Sequence, residues 1–329
     1  MFVPVIGKDR KPLMPTTPWR AAIWVKKGKA TPFWSNGVFC VRLNVEPSDT
    51  KKQDVVIGID TGSKREAFTI KSETYTYLNI LVDAVTWVKD AVERRRNARR
   101  DRRQRKTPYR QIRKNRARGG IPPSTRARWQ LKLRVVNRLQ RVFPITDFVV
   151  EDIKAKSLGK RKWDVSFSPL EVGKQWFYDE LRKLGNLETR RGFETKELRD
   201  ILGLKKTGNK MSESFNAHNV DSWVLANWRV GGHTVPDNTT IKRMIPLQFH
   251  RRQLHNFQFE IGGKRRRQGG TISLGFKKGS LVKHPKHRLC YVGGNLGGRL
   301  SLHSLQTGKR LCQKAKVKDI QFLTYSSFR

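Results

Sequence analysis

The sequence predicts a mixed α/β protein that ends in a basic, strand-rich region. Three observations carry that prediction. The apolar runs "VVIGID", "AFTI" and "TYTYLNI" stand close together, the first two separated only by a turn at 61–64, as in an antiparallel meander. Basic amphipathic stretches with helical spacing of their apolar residues follow. Beyond residue 250 the chain becomes a series of short strands punctuated by glycine, the pattern of a small β-barrel.

Taken in order, "PTTPWRAAIWVKKGKA" predicts a short helix, with Thr17 as N-cap, Pro18 at the first helical position and Gly28 at the stop. "GVFCVRLNV" alternates and predicts a strand. The polar "EPSDTKKQD" marks a boundary near Asp54, and the meander follows. From about Leu81 the pattern turns helical and then almost wholly basic until Pro108 ends it. Between 91 and 118 there are twelve arginines and two lysines against one glutamate and one aspartate. A preponderance of arginine favours bidentate contact with phosphate. A second basic helix spans about 125–142, with Trp129, Leu133, Val136 and Leu139 on one face, and "ITDFVVED" is a strand. The segment 154–213 reads as mostly helical, with starts signalled by Ser168 and Thr195, and "AHNVDSWVLANW" is a further helix.

Charge sets the class of partner. The chain of 329 residues has 70 Lys and Arg against 27 Asp and Glu, a formal net charge of +43. So much like charge repels itself unless a polyanion screens it, and nucleic acid is the natural one. No apolar run approaches the ~18 residues that span a bilayer, and "MFVPVIGKDRKPLMP" lacks the apolar core of a secretory signal. Three cysteines with no C-x-x-C pair argue against a zinc ribbon and a disulfide framework. The chain reads as intracellular.

Three acids stand in comparable settings. Asp60 ends an apolar strand, Glu151 ends "DFVVE", and Asp221 lies on a helix that is otherwise apolar. Carboxylates beside apolar segments are costly unless neutralised. Each alone is accounted for by pairing with one of the basic residues. Together they make a ligand set for two divalent cations, the arrangement suited to phosphodiester hydrolysis. His218 lies one turn before Asp221, placed to act as a base or to orient water. "GIDTGS" is also similar to the first phosphate loop of actin-like ATPases, but the second Asp-Gly loop and the adenosine pocket of such proteins are not found in the sequence. "LRDILGLKKTGNKMSESFNAHN" passes weakly for a helix-turn-helix.

"KPLMPTTP", "GIDTGSK", the arginine-rich helix, "FVVED", "AHNVDSWVLAN" and "RRQLH" through "GGKRRRQGGTISLGFKKGSLVKHP" occur in one order. In that order the chain resembles the IscB/IsrB proteins, transposon-encoded RNA-guided nucleases ancestral to type II CRISPR effectors. The resemblance implies an RNase H-like RuvC nuclease split in three, with Asp60, Glu151 and Asp221 as its acids, binding two magnesium ions, and His218 beside them. It implies a PLMP domain at 1–53, RuvC parts at 54–84, 119–153 and 213–250, a bridge helix at 85–118 and a C-terminal region at 251–329 that contacts guide RNA and a target-adjacent motif. Thr61 stands where many relatives have proline.

Only 69 residues separate Glu151 from Asp221, with no cysteine and no histidine before His218. The HNH nuclease found there in IscB cannot be placed, so the chain looks like IsrB, the form without it, and 154–212 is a helical insert or linker in its stead. The resemblance then implies a nickase that uses a guide (omega) RNA, needs magnesium and cuts the displaced non-target strand, working as a monomer in a ribonucleoprotein. Nucleic-acid contacts are expected on the bridge helix at Arg94, Arg95, Arg96, Arg99, Arg100, Arg102, Arg103, Arg105, Lys106, Arg110 and Arg113. In the C-terminal region they are expected at Arg251, Arg252, Lys264, Arg265, Arg266 and Arg267. The rival readings are a nucleic-acid-binding protein without catalysis and an unguided RuvC-like resolvase.

Overall fold

A computed structural model describes residues 2–35, 38–104, 120–154, 171–209, 212–246, 257–258, 264–265, 272–305 and 307–324. The chain divides into two units, Met1–Met244 and Ile245–Arg329.

The first unit opens with β1 (Val3–Ile6) and β2 (Pro12–Thr16), then α1 (Pro18–Lys26), β3 (Ala30–Ser35) and β4 (Val38–Leu43). The strands form one sheet in the order β2-β1-β4-β3. Helix α1 starts as its sequence requires: Thr17 Oγ1 accepts from the Arg20 amide at 3.4 Å, Pro18 takes the first position, and Gly28 adopts φ +68° after the last turn. One face of this sheet packs on α1 through Val5, Val41 and Ala21. Val38 and Cys40, on the other face, join the main core of the unit. These elements belong to the first unit.

The meander follows as β5 (Val56–Asp60), β6 (Arg65–Lys71) and β7 (Thr76–Asp83). Next come α2 (Val88–Gln104), α3 (Pro123–Gln140), β8 (Asp147–Asp152), α4 (Lys174–Arg182), β9 (Asn186–Arg191), α5 (Gly192–Ile201), α6 (Phe215–Val230) and β10 (Ile241–Met244). The central sheet runs β10-β7-β6-β5-β8-β9. Strand β6 is antiparallel to both its neighbours, while β8 is parallel to β5 and to β9. Strand β5 has Val56, Ile57 and Ile59 fully buried, as a strand covered on both faces must be. Helix α3 covers one face with Trp129, Val135, Val136 and Leu139, and α6 covers the other with Ser222, Leu225 and Ala226.

Several elements differ from their sequence reading. The run from Leu81 continues β7 to Asp83 before α2 begins, because its first residues pair with β6. Among the described residues of 154–212, α4 and α5 are the expected helices, but residues 186–191 form β9, a strand of the central sheet that the sequence reading did not expect. Helix α5 is not capped by Thr195, which lies inside it and is buried. Arg191 is the cap, its amide donating to Glu194 Oε2 at 2.6 Å. Ser168 lies outside the described residues. On α3, Leu133 is only partly buried, whereas Lys132 is wholly buried.

The second unit contains two two-residue ladders, β11 (Phe257–Gln258) with β12 (Lys264–Arg265) and β13 (Ile272–Ser273) with β14 (Phe276–Lys277). Its main sheet is made by β15 (Leu281–His284), β16 (Arg288–Leu296), β17 (Arg299–His303), β18 (Arg310–Ala315) and β19 (Gln321–Thr324). The order is β18-β17-β16-β15-β19, all antiparallel, over a core of Val282, Cys290, Val292, Leu300 and Leu302. The expected barrel is, among the described residues, an open sheet with β18 and β19 at its edges.

Candidate active site

The central sheet brings the three acids together. Strands β5 and β8 are parallel neighbours with Ile59 opposite Val150, so Asp60 and Glu151 leave adjacent strands at the same end. Helix α6 reaches that end because β5 carries Gly58. A Cβ there would stand 1.9 Å from the Ser222 carbonyl oxygen, so only glycine lets the helix lie against the strand backbone. Asn219 fixes the helix in place, its Nδ2 donating to the carbonyls of Phe68 at 3.3 Å and Ile80 at 3.2 Å. Asp221 is 3% exposed beneath this contact.

The side chains of Glu151 and Asp60 face each other. Burial pushes the Glu151 carboxyl up to about 9, helped by the charges of Asp60 and Asp221 and opposed by Lys206. Two cations face the three acids. Arg199 Nη1 donates to Asp221 Oδ1 at 2.5 Å. Lys206 donates to Asp221 Oδ2 and stands 3.7 Å from Asp60 Oδ2. Burial alone would lower the Lys206 pKa, but Asp60, Asp221 and Glu151 outweigh it and hold the ammonium above its ordinary value. Three carboxyls against two cations leave one negative charge over, and the raised Glu151 carries a proton in its place.

Among the described residues, no group of three or more His, Cys, Asp and Glu side chains is spread as a metal cage. Lys206 reaches between Asp60 and Asp221. The donor set itself, all carboxylate oxygen with an excess of negative charge, fits a hard divalent cation. Gly192 keeps the approach open, since a Cβ there would come within 3.2 Å of Glu151 Oε1.

His218 sits a turn before Asp221 on α6. Its Nε2 lies 2.9 Å from the Ser212 carbonyl, and Arg65 Nη1 donates to the same oxygen at 2.9 Å. Arg65 Nη1 also lies 3.2 Å from His218 Nε2 itself. Arg65 in turn faces Asp83 and Glu213 at 4.0 and 3.9 Å, and Arg243 joins both acids, so the rim beside His218 is a network of ion pairs. Thr61 is buried, and its hydroxyl donates to the Glu151 carbonyl at 3.1 Å, tying the two acid-bearing strand ends together.

Arg199 and Lys206 were not among the residues singled out from sequence, and Thr61 was noted only as standing where many relatives have proline. The first two lie in a polar stretch, "ELRDILGLKKTGNK", that looks like solvated surface. Thr61 looks like a turn residue. The signal available was local: in a site with three acids, the flanking chain must supply cations.

On the arginine-rich helix, Arg94, Arg95, Arg96, Arg99 and Arg100 are exposed. Arg94 and Arg99 each donate from Nε to a carbonyl four residues back. Arg102 and Arg103 belong to α2, but their side chains lie outside the described residues, as do Arg105, Lys106, Arg110 and Arg113 altogether. Arg251, Arg252, Arg266 and Arg267 are likewise outside, and Lys264 and Arg265 are described only as strand backbone. Helix α3 runs against α2 and adds Arg134, Arg138 and Arg141. Burial and the two neighbouring guanidiniums hold Arg138 below its ordinary pKa.

Residues 3–161 match the model of the family described as RRXRR protein. No curated protein matches the chain. Among solved structures, T. thermophilus RuvC in complex with Holliday junction substrate is similar at a TM-score of 0.30 and 12% identity, over 55% of this chain and 98% of that one. Among the described residues, no helix is long and apolar enough to cross a membrane.

Proposed function

We propose that the protein is an RNA-guided DNA nickase of the IsrB type. One observation carries the reading: Asp60, Glu151 and Asp221, from three distant segments, converge at one end of a single sheet. The order β7-β6-β5-β8-β9, with β6 reversed, supports an RNase H-like RuvC domain. The RRXRR match over 3–161 supports the family resemblance. In this reading a guide (omega) RNA pairs with one strand of a DNA target beside a short flanking motif, and the displaced non-target strand enters the carboxylate site.

Asp60, Glu151 and Asp221 would hold two magnesium ions, Glu151 as the carboxylate, beside the Lys206 ammonium that contacts Asp60 and Asp221. Magnesium bound there would supply an activated water and stabilise the leaving oxygen. Arg199 keeps Asp221 in place, Thr61 fixes the spacing of the strand ends, and His218 orients the attacking water or takes its proton. With one such centre, one strand is cut. The exposed arginines of α2 and the basic second unit take up RNA phosphates.

The test is supercoiled plasmid carrying a matched target, incubated with magnesium and the protein purified with its co-expressed RNA. The expected product is an open circle that requires both RNA and match. Cutting without RNA points to a resolvase, and no cutting in any library of flanking motifs points to a binder. Asp60→Ala should abolish nicking and spare RNA binding.

A further inference from the structure

A cavity of about 580 Å³ opens between α1 and the two sheets of the first unit. Its walls include Ala22 of α1, Phe39 of β4, Tyr77 of β7 and Phe143. Lys26 and Lys242 are the charged residues on its lining. Two tryptophans stand beside it. Trp19 follows the lining residue Pro18 and is 75% exposed. Trp34 is 70% exposed and packs edge-on against Phe39, with ring centroids 5.4 Å apart. An apolar cavity of this size suits a small planar group. Exposed indoles beside cations are the elements of a base-stacking platform.

The cavity is not part of the carboxylate site. Asp60 pairs with Ala67, and Arg65 with Asp83, at one end of the meander; Lys71 pairs with Val56 and Thr76 at the other. Tyr77 belongs to this second end, roughly 20 Å along the strand from the first.

We propose that this cavity holds an unpaired base of the guide RNA, with flanking bases stacked on Trp19 and Trp34 and its phosphates on Lys26 and Lys242. The inference rests on the RNA-guided reading for the identity of the strand. Structured RNA presents splayed bases in loops and bulges. The target DNA of that reading is duplex or paired, apart from the displaced strand, which goes to the carboxylates at the other end.

The test uses the full-length protein and a short unstructured RNA carrying 4-thiouridine, with the same sequence as thio-substituted DNA in parallel. After irradiation, crosslinked peptides are mapped. Crosslinks are expected at Trp19, Trp34, Phe39 or Tyr77 with RNA, and few with DNA. In concentrated salt, which suppresses phosphate contacts, the Trp19→Ala/Trp34→Ala variant should bind the RNA about tenfold or more weakly. Its unfolding temperature should not change, since both side chains lie at the surface. Ala22→Phe, which fills the cavity, should remove the crosslinks at Phe39 and Tyr77. Crosslinks confined to other segments, unchanged affinity in the double variant, or equal labelling by DNA overturns the proposal. Each of those results leaves the nicking assay on plasmid, and the reading it tests, standing separately.

Discussion

Glu151 sits where folding and function pull apart. Its carboxyl is held protonated because burial and two neighbouring acids penalise its charge. A folded pKa raised to about 9 from an ordinary 4.5 gives a contribution that is complete below about pH 4.5. That contribution is lost as pH rises through about 9. Glu151→Gln removes the titration. In chelator, the variant should therefore be more stable than the wild type at pH 8, with a smaller gap at pH 5, while nicking is lost. Thermal unfolding at the two pH values checks this, and a gap independent of pH would refute the burial account. Lys206 makes the matching case. Lys206→Met removes the ammonium beside Asp60 and Asp221, so magnesium should raise the unfolding temperature more in the variant than in the wild type. An equal magnesium response in both would show that Lys206 does not guard the site. The acids were legible in the sequence because each interrupts or ends an apolar segment. Arg199, Lys206 and Thr61 were not, because cations in a polar stretch and a threonine in a turn carry no mark of what they face.

The meander, the basic helices and α6 follow from the hydrophobic pattern. Strand β9 does not. "NLETRR" is polar and half exposed, and it becomes a strand because β8 offers it a free edge and backbone partners. A non-local partner of this kind leaves no local periodicity to read. Helix α3 hides a second non-local fact. Lys132 Nζ meets Glu66 Oε1 at 2.7 Å with both side chains wholly buried, and the ammonium lies 4.3 Å from the centre of the Trp129 ring. Each ion is tolerable only because of the other, so Lys132→Met should cost about 3–5 kcal/mol by stranding Glu66. Replacing both, with Glu66→Leu added, should recover most of that loss. Urea unfolding of the two variants decides it; a loss well under 1 kcal/mol for Lys132→Met would mean that Glu66 is not held as an ion. The helical spacing placed Leu133 on the apolar face, where it is only partly buried, and nothing in the spacing marked Lys132, since a lysine carries no sign of burial in such a pattern.

At the scale of the whole molecule the charge is the governing term. A net +43 on 329 residues makes the free protein self-repelling, and exposed guanidiniums on α2 stand at like-charge spacing along one helix. A bound nucleic acid would relieve that repulsion. Its affinity should fall with salt at a logarithmic slope of about −0.7 to −0.9 for each phosphate neutralised, and its binding should raise the unfolding temperature. A shallow slope would move the weight from phosphate contacts to other interactions. In the proposed function, one carboxylate centre, directed by RNA, cuts one strand. A matched duplex labelled differently on each strand, incubated with the ribonucleoprotein and magnesium and resolved under denaturing conditions, tests it most directly. Cleavage of the non-target strand alone is expected. Cleavage of both strands, or cleavage that persists when the RNA is removed, would contradict it.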